Sequence, residues 1–573
     1  MRIKHFFGLA VIAAMTASCS SNNDLVVGGG NGSGENESGA SYASFSINLP
    51  TTSGTRADGD PTFEDGNIDE YKVNDATLLI FKKGSTEKEG DYTFVESAEL
   101  GSMAPWQKPN PDETGVTTHA KITAKLESVN KNEKNFALVL LNNGTGTNAK
   151  VAMPSEGETF SAWNEANVTN KFATPENGFY MANAPLFNNN NVTTLVPIVS
   201  DKIYPTEEEA AKNPATDIYV ERGLAKVTLG EGTTTKKSVT SDTYQGDKVT
   251  ISKWVLDVTN QKAYPIHNVD GLTTDYPEIW KNDATATAAP STQRFVDNSK
   301  AIAKRVYWGK DPNYDNKDLR KTDAAGKTAR ETDFNYVKNA DVTVEPSKPL
   351  YCLENTFNLD NMMQGQTTRV VFKAKYTPKD FTDGDTFYKI GKNTAIWSKD
   401  NLETEIKTAV ASVFPGVKTD KISVNLDAEE NKITAAGTHY ITKDNITVTG
   451  VATITDENIK AINTQLGLKE TDKVGISTYA GGESYYVARI KHFGDELTPW
   501  SSGGYGSDNL SFLGRYGMLR NNWYELTVSS VSGPGYPSVP EVKPSTPDDE
   551  DDKYISVSVK ILKWAKRTQD VKL

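Results

Sequence analysis

Short strand-like runs separated by turn residues constrain the fold of this chain most strongly. The 25 prolines and 43 glycines among the 573 residues are scattered between runs rich in Val, Ile, Thr and Tyr. Long segments with the 3.6-residue apolar period of a helix are scarce, although 401–414 and 456–466 show it. Shorter helical stretches are predicted at 155–166 and 206–213. The sequence therefore predicts an all-β fold with minor helical insertions.

The chain is longer than one hydrophobic core usually supports, so its length predicts two β lobes. A boundary near Asp217 assigns 57–217 to an N-terminal lobe and 218–532 to a C-terminal lobe. Lys and Arg total 62 against 75 Asp and Glu, which gives a net charge of -13. Because this charge would repel nucleic acids and anionic membrane surfaces, we expect no nucleic-acid partner.

The N-terminus carries the features of an export signal. Basic residues precede an apolar run, Phe6 to Met15, that is too short to span a bilayer. The following tetrad, Thr-Ala-Ser-Cys at 16–19, resembles a bacterial lipobox, in which the Cys thiol is diacylated and becomes the mature N-terminus. We therefore predict a signal peptide at 1–18 and lipidation of Cys19, with the acyl chains as the only membrane attachment. A plain secretory signal with a fortuitous Cys is the alternative.

An amphipathic strand follows a polar tether of Ser, Asn and Gly. Residues 42–50 alternate between apolar and polar side chains. The apolar face comprises Ala43, Phe45, Ile47 and Leu49. Behind this strand, 51–60 lacks large apolar side chains and offers Arg56 in an accessible loop of the kind that proteases cut. Cleavage between Arg56 and Ala57 would make 19–56 a removable, lipidated propeptide.

A second amphipathic strand lies near the C-terminus, within 533–573. Residues 554–564 follow a Pro-rich tract, 533–552, which ends in an acidic run and which we predict to be an extended linker. The apolar face of this strand comprises Ile555, Val557, Val559 and Ile561. Each end of the chain thus carries four alternating apolar residues, and the two strands look interchangeable.

Exchange of these two strands would join copies of the chain. Burying four such side chains contributes about 6–12 kcal/mol, and a lobe without its strand would expose an apolar groove and an unpaired sheet edge. We therefore expect cleavage at Arg56 to vacate the groove and the C-terminal strand of the next copy to enter it. Because donor and groove lie on different surfaces, the contact would propagate as a filament. The alternative is that both end strands pair within the monomer.

No constellation of catalytic or metal-binding residues stands out. The five His are far apart in sequence, and the only thiol besides Cys19 is Cys352, which we expect to be buried and inert. Residues 311–318 begin like a calcium loop, but Asn316 stands where such loops have Gly, so a solvated polar loop is preferred. The sequence therefore predicts no enzyme, no cofactor and no metal.

Several motifs give the chain a family resemblance. They are Tyr219 to Val227, Tyr351 to Thr356, Thr368 to Tyr376, Leu519 to Leu526 and the C-terminal pattern at 556–573. In this order they resemble Bacteroidetes fimbrillins, most closely the shaft subunit of the short, or minor, fimbrium. The likeness covers nearly the whole chain, and the Arg-Asn-Asn-Trp-Tyr sequence at 520–524 is its most specific part.

This resemblance implies two tandem transthyretin-like Greek-key β-sandwich lobes and a C-terminal donor strand. It also implies export as an outer-membrane lipoprotein, maturation by an Arg-specific or trypsin-like protease at Arg56 and Ala57, and assembly into a fimbrium on the cell surface. The implied partners are identical subunits in a homopolymer, anchor and tip subunits, and the protease. Such a filament would support adhesion and biofilm formation. The long interior loops depart from close family members, so no receptor can be carried over.

Two other functions remain open from the sequence. A tip or accessory adhesin would accept a strand without donating one, which the C-terminal extension argues against. A glycan-binding surface lipoprotein would not polymerise, and it would present exposed aromatic side chains on a β-sandwich. Trp residues in or near loops keep this second function open, namely Trp106, Trp163, Trp280, Trp308 and Trp500.

Overall fold

The computed structural model describes the chain in segments. These are 41–50, 68–100, 116–188, 191–213, 215–277, 279, 294–295, 304–306, 308–356, 358–493, 498, 509–548 and 555–562. The backbone alone is described at 50, 68, 116–119, 188, 191, 304–305, 509 and 555–562. The predicted signal peptide 1–18, Cys19, Arg56 and Ala57 lie outside the described residues.

Most regular structure in these segments is β-strand, numbered here in chain order. The strands are β1 Ser41–Pro50, β2 Ala76–Lys82, β3 Thr93–Glu99, β4 Val116–Leu126, β5 Asn135–Leu141, β6 Met181–Asn183, β7 Leu186–Asn188, β8 Asn191–Thr193, β9 Val196–Ile198, β10 Thr216–Arg222, β11 Ala225–Leu229, β12 Lys237–Ser238, β13 Lys248–Asp257, β14 Thr259–Asn260, β15 Lys304–Arg305, β16 Phe334–Asn335, β17 Leu350–Cys352, β18 Arg369–Thr377, β19 Phe387–Ile390, β20 Ile422–Val424, β21 Gly437–His439, β22 Ile446–Val448, β23 Ile476–Tyr479, β24 Glu483–Arg489, β25 Trp523–Val531 and β26 Ile555–Leu562. The predicted β-rich class is confirmed.

The α-helices are short. They are α1 Ile68–Tyr71, α2 Phe160–Ala166, α3 Glu207–Lys212, α4 Leu272–Asp275, α5 Ala324–Asp333, α6 Lys399–Val413 and α7 Asp456–Gln465. The two longest predicted helices form as α6 and α7, because Ser398 and Thr455 each accept a hydrogen bond from a backbone N–H in the first turn. Within the described segments, no helix has the length and apolar character needed to cross a membrane.

The largest sheet lies in the N-terminal half and holds β1 in its interior. Its strand order is β3-β2-β5-β6-β10-β1-β4, and β9 pairs with β5. The strands β2 and β5 supply nearly continuous buried runs, Leu78 to Phe81 and Ala137 to Leu141. The Phe81 ring packs edge-on against Phe94 and Phe160, which adds shape-specific contacts to the core of this first sheet.

Two four-stranded sheets pack together in the C-terminal half. Their strand orders are β17-β11-β25-β26 and β12-β13-β18-β24. They share one hydrophobic core, in which Val227 and Leu526 from β11 and β25 join Trp254 and Phe372 from β13 and β18. This arrangement is sandwich-like, with the C-terminal strand β26 at one edge.

A smaller module is inserted between β19 and β23. It contains α6 and α7 beside β20, β21 and β22. Its own hydrophobic core is built around Leu402, Ile406 and Val410 of α6 and Ile462 of α7. Two of the three described helices that have ten or more residues, α6 and α7, therefore lie in this insertion.

The eight-stranded sheet is called the first sheet below, and the sheet β17-β11-β25-β26 is called the second sheet. The chain passes from the first sheet to the second between β10 and β11, at Gly223 and Leu224. The sequence pattern treats 218–229 as one strand and puts the lobe boundary at Asp217, which lies inside β10. The described residues belong to one compact unit, Ala40–Leu573. Gly223 lies against the rings of Phe172 and Tyr180, where a Cβ would sit 3.3 Å from ring carbons.

A buried ion pair ties the region next to the Arg56 loop to the second sheet. Glu70 of α1 binds Lys226 Nζ of β11 at 2.7 Å, and both side chains are at most 5% exposed. Tyr351 donates its hydroxyl to Glu70 Oε1 at 2.7 Å, and the ammonium of Lys226 lies 3.8 Å from the ring centroid of Trp523. The helix at 68–71, which holds the first described residues after the predicted cleavage site, is therefore fixed to the second sheet.

We expect Glu70→Ala to lower the free energy of unfolding by about 3–5 kcal/mol, because it leaves Lys226 buried without its carboxylate. Urea denaturation followed by circular dichroism measures this change. The matched control is Glu87→Ala, which removes the carboxylate of an exposed ion pair with Lys83 and should leave the transition unchanged. An unaltered midpoint for Glu70→Ala would contradict the structural role of this pair.

Candidate site of strand exchange

The strand β1 is hydrogen-bonded on both of its edges. It pairs antiparallel with β4 from Ser41 to Pro50, and it pairs parallel with β10 from Phe45 to Asn48. In the strand order of the first sheet, β4 reaches the other strands only through β1. Removing β1 would therefore leave an open groove between β4 and β10.

The apolar face of β1 is completely enclosed. Its four predicted residues, Ala43, Phe45, Ile47 and Leu49, are 0% exposed. They belong to the same core as the buried runs of β2 and β5. A strand that occupies this place must supply four apolar side chains at alternate positions, because empty space in a packed core is costly.

The polar face of β1 is also covered, which the alternating pattern does not predict. Ser44 is 2% exposed, donates its hydroxyl to the carbonyl of Ala210 in α3 at 2.7 Å, and lies 2.8 Å from Thr123 Oγ1. Lys121 of β4 binds the carbonyls of Ala211 and Asn213. The segment 204–213 therefore lies over the groove, and we call it the strap.

The strap also closes the first part of β1 along its edge. Tyr42 and Tyr204 exchange two backbone hydrogen bonds, at 2.7 and 2.8 Å, ahead of the point where β10 begins to pair. The sequence predicts a helix at 206–213 from the glutamates that lead into Ala210 and Ala211, and in the structure Thr206 caps this helix by accepting the N–H of Glu209. That pattern carries no signal of what the helix covers.

The C-terminal strand β26 occupies an edge position in the second sheet. It pairs antiparallel with β25, from Trp523 opposite Leu562 to Val531 opposite Ile555. No second pairing of β26 is present in the described residues. The side chains of its predicted donor residues, Ile555, Val557, Val559 and Ile561, lie outside the described atoms. Both end strands thus pair within this single chain, each in a different sheet.

The Pro-rich tract before β26 is not a free linker over its described length, 533–548. Tyr536 exchanges two backbone hydrogen bonds with Tyr485. The guanidinium of Arg369 donates to the carbonyl of Pro540, and the N–H of Val539 bonds to the side chain of Asn339. The tract is therefore held against the rest of the protein although it has little regular structure, because Pro and Gly prevent such structure but leave carbonyls that neighbouring donors can bind.

Asp548 anchors the end of this tract. It is 0% exposed, accepts a hydrogen bond from Thr367 Oγ1 at 2.8 Å, and donates its N–H to the carbonyl of Met362. Ile555 lies seven residues further along the chain. A fully extended chain of that length spans about 23–25 Å, so β26 can begin no farther than this from the anchor.

The segment 311–318, which begins like a calcium loop, is buried over 311–314 and exposed over 315–317. Asp311 accepts the N–H and the side-chain amide of Asn313 on one oxygen, and the side-chain amide of Asn260 and the N–H of Thr356 on the other. Burial raises the pKa of the Asp311 carboxyl to about 7. The interpretation as a solvated polar loop therefore describes 315–317 but not 311–314, where both oxygens of the Asp311 carboxyl accept hydrogen bonds from N–H donors. The described residues hold no cluster of metal-ligating side chains.

Two further predictions concern single side chains. Cys352 is 4% exposed, and burial raises the pKa of its thiol to about 12, so it is a buried, unreactive group. Trp163 and Trp308 are at most 1% exposed and pack in cores, so neither can stack on a glycan. Trp106, Trp280 and Trp500 lie outside the described residues.

We expect Thr367→Val to loosen the anchor at Asp548, because a buried carboxylate loses a donor, at a cost of about 1–3 kcal/mol. Hydrogen exchange should then accelerate roughly 5- to 150-fold at the amides of Gln364 and Asp548. The control is Thr471→Val, which removes an exposed Thr to Asp hydrogen bond and should leave both amides unchanged. Equal exchange in both variants would contradict an anchored tract.

Comparison with known proteins relates the C-terminal part of the chain to one family. Residues 477–570 match the family model described as major fimbrial subunit protein type IV, fimbrillin, C-terminal. A fimbrial assembly protein from Parabacteroides distasonis has a TM-score of 0.26 and 11% identity, over 62% of this chain and 92% of that chain, which is too weak a likeness to define a fold. No curated protein matches the chain. The matched segment includes β24, β25 and β26 and supports a fimbrial subunit of the fimbrillin type.

Proposed function

We propose that this protein is the shaft subunit of a surface fimbrium and polymerises by protease-triggered donor-strand exchange. The observation that carries this proposal is the unequal position of the two end strands. β1 forms two ladders inside the first sheet, and β26 forms one at the edge of the second sheet. A C-terminal strand that moves into a vacated β1 groove gains a second ladder, with each hydrogen bond contributing about 0.5–1.5 kcal/mol.

Cleavage between Arg56 and Ala57 is the proposed trigger. Before cleavage, β1 is covalently tied to α1 and returns to its groove whenever it opens. After cleavage, β1 is held only by non-covalent contacts, and α1 stays fixed to the second sheet through Glu70 and Lys226. A β1 strand that leaves the cut chain is then lost, and a second copy can supply its replacement.

The remaining parts of the proposal follow from the fimbrillin resemblance. The precursor carries its lipid on Cys19 and reaches the outer membrane through this anchor. The mature subunit, in two tandem transthyretin-like lobes, joins a homopolymer with anchor and tip subunits on the cell surface. Such a shaft supports adhesion and biofilm formation.

The two rival functions are less well supported. A tip or accessory adhesin has no use for a donor strand, and this chain carries β26 behind a tract that is anchored as far as Asp548. A glycan-binding lipoprotein needs exposed aromatic side chains, and two of its five candidate Trp residues, Trp163 and Trp308, are buried.

The trigger is tested with material sheared from cells and run on gels after graded heating. We expect a ladder of multiples that collapses to a monomer whose N-terminus is Ala57. Arg56→Gln should abolish the ladder, and Arg320→Gln, which removes an exposed Arg elsewhere in the chain, should preserve it. A wild-type protein found only as an unassembled species beginning at lipidated Cys19 would overturn the proposal.

The donor strand is tested with Val557→Asp. We expect the secreted monomer to persist and the ladder to disappear, because a carboxylate cannot be buried unpaired in an apolar groove. Val199→Asp places the same charge at a valine that is 47% exposed and should leave the ladder intact. Polymers that persist unchanged in Val557→Asp would show that the donor assignment is wrong.

A further inference from the structure

The covered polar face of β1 restricts which strands can replace it. Ser44 fits beneath the strap because its small hydroxyl satisfies the carbonyl of Ala210 and contacts Thr123 Oγ1. Ala210 itself is 0% exposed, which leaves little room above the strand. An occupant of the groove must therefore place a small hydroxyl side chain at this position, in addition to its apolar residues.

The two end strands share a pattern that includes their polar residues. Residues 42–49 read Tyr-Ala-Ser-Phe-Ser-Ile-Asn-Leu, and 554–561 read Tyr-Ile-Ser-Val-Ser-Val-Lys-Ile. In the same N-to-C direction, Tyr aligns with Tyr, both Ser align with Ser, and each apolar residue aligns with an apolar residue. Ser556 then corresponds to Ser44, whose hydroxyl the groove requires.

We propose that the C-terminal strand of a second copy enters the groove in the same direction as β1, parallel to β10 and antiparallel to β4, with Ser556 in the place of Ser44. This inference rests on the proposed strand exchange and specifies its polarity and register. Lys560 takes the place of Asn48, which is 7% exposed against 2% for Ser44, and its long side chain lies on the same face as Asp217, an exposed carboxylate on β10 that is paired with Ser46. Opposite charges on neighbouring strands favour this arrangement.

The reverse direction conflicts with the chemistry of the groove. It keeps the four apolar positions filled but puts Lys560 in the place of Ser44, beneath the strap. Lys121 already binds the carbonyls of Ala211 and Asn213 beside that place. A second ammonium would be buried beneath the strap next to a like charge.

Registers shifted by two residues are excluded by the ends of the donor. A shift in one direction puts Lys553 in the place of Ala43, and the opposite shift puts Lys563 in the place of Leu49. Both places are 0% exposed. In the proposed register, Ile555 is larger than Ala43, while Val557 and Val559 are smaller than the residues they replace. The gain in side-chain volume at one position is thus offset by losses at two others.

Disulfide cross-linking distinguishes the two directions. Ser44 is paired with Thr123 and Ser46 with Lys121 on β4, and directly paired residues lie within disulfide range. The double variant Thr123→Cys with Ser556→Cys should link neighbouring subunits only in the proposed direction. Thr123→Cys with Lys560→Cys should link them only in the reverse direction. Lys121→Cys with Ser558→Cys should link them in both, since 558 is the midpoint of the strand.

We expect heat-resistant ladders on non-reducing gels from the variants that carry Ser556→Cys or Ser558→Cys. The variant that carries Lys560→Cys should lose its ladder on heating. Linkage through Lys560→Cys without linkage through Ser556→Cys would overturn the direction. A ladder that stays heat-sensitive in the variant with Lys121→Cys and Ser558→Cys would overturn the register alone. Absence of any ladder from the unsubstituted mature chain would overturn strand exchange itself. The native Cys352 is buried and provides no competing thiol.

Discussion

The first sheet depends on having a strand between β4 and β10. All ten residues of β1 pair with β4, and β4 has no other hydrogen-bonded neighbour among the strands that the structure describes. Loss of β1 without replacement would uncover four core side chains and two backbone edges, and unpaired buried backbone groups are as costly as lost hydrogen bonds. The groove would therefore have to be refilled, which is why the proposed function pairs the removal of this strand with its replacement by another.

Both end strands could be predicted from the sequence because apolar and polar residues alternate along each strand. The residues of β1 and β26 follow a period of two, and this local signal is independent of the rest of the chain. Their partners were not predictable, since β1 pairs with strands roughly 80 and 170 residues away, and such pairings depend on how the whole sheet assembles. The sequence motif at 218–229 likewise shows no sign that its two halves enter different sheets at Gly223.

Composition does not predict structure where tertiary contacts override local preference. The tract 533–548 is rich in Pro and Gly, which favours an extended chain, but Arg369 and Thr367 supply donors that hold it against the body of the protein. Polar residues at 311–318 indicate a solvated loop, but Asp311 accepts hydrogen bonds from Asn260 and Thr356, in two other parts of the structure. In both cases these partners are distant in sequence, so no local pattern contains them.

In the proposed polymer, the anchor at Asp548 limits the joint between successive subunits. The groove belongs to the first sheet and the donor to the edge of the second, so one copy's donor would meet another copy's groove, and a heterologous contact of this kind repeats without closing. If the tract stays bound to the body of its own subunit, six residues, 549–554, separate the anchor from the donor strand. A joint of six residues allows far fewer orientations than one of the twenty residues 533–552 that composition suggests. In such a polymer, the packing of the tract against its own subunit favours a stiff filament over a flexible chain of beads.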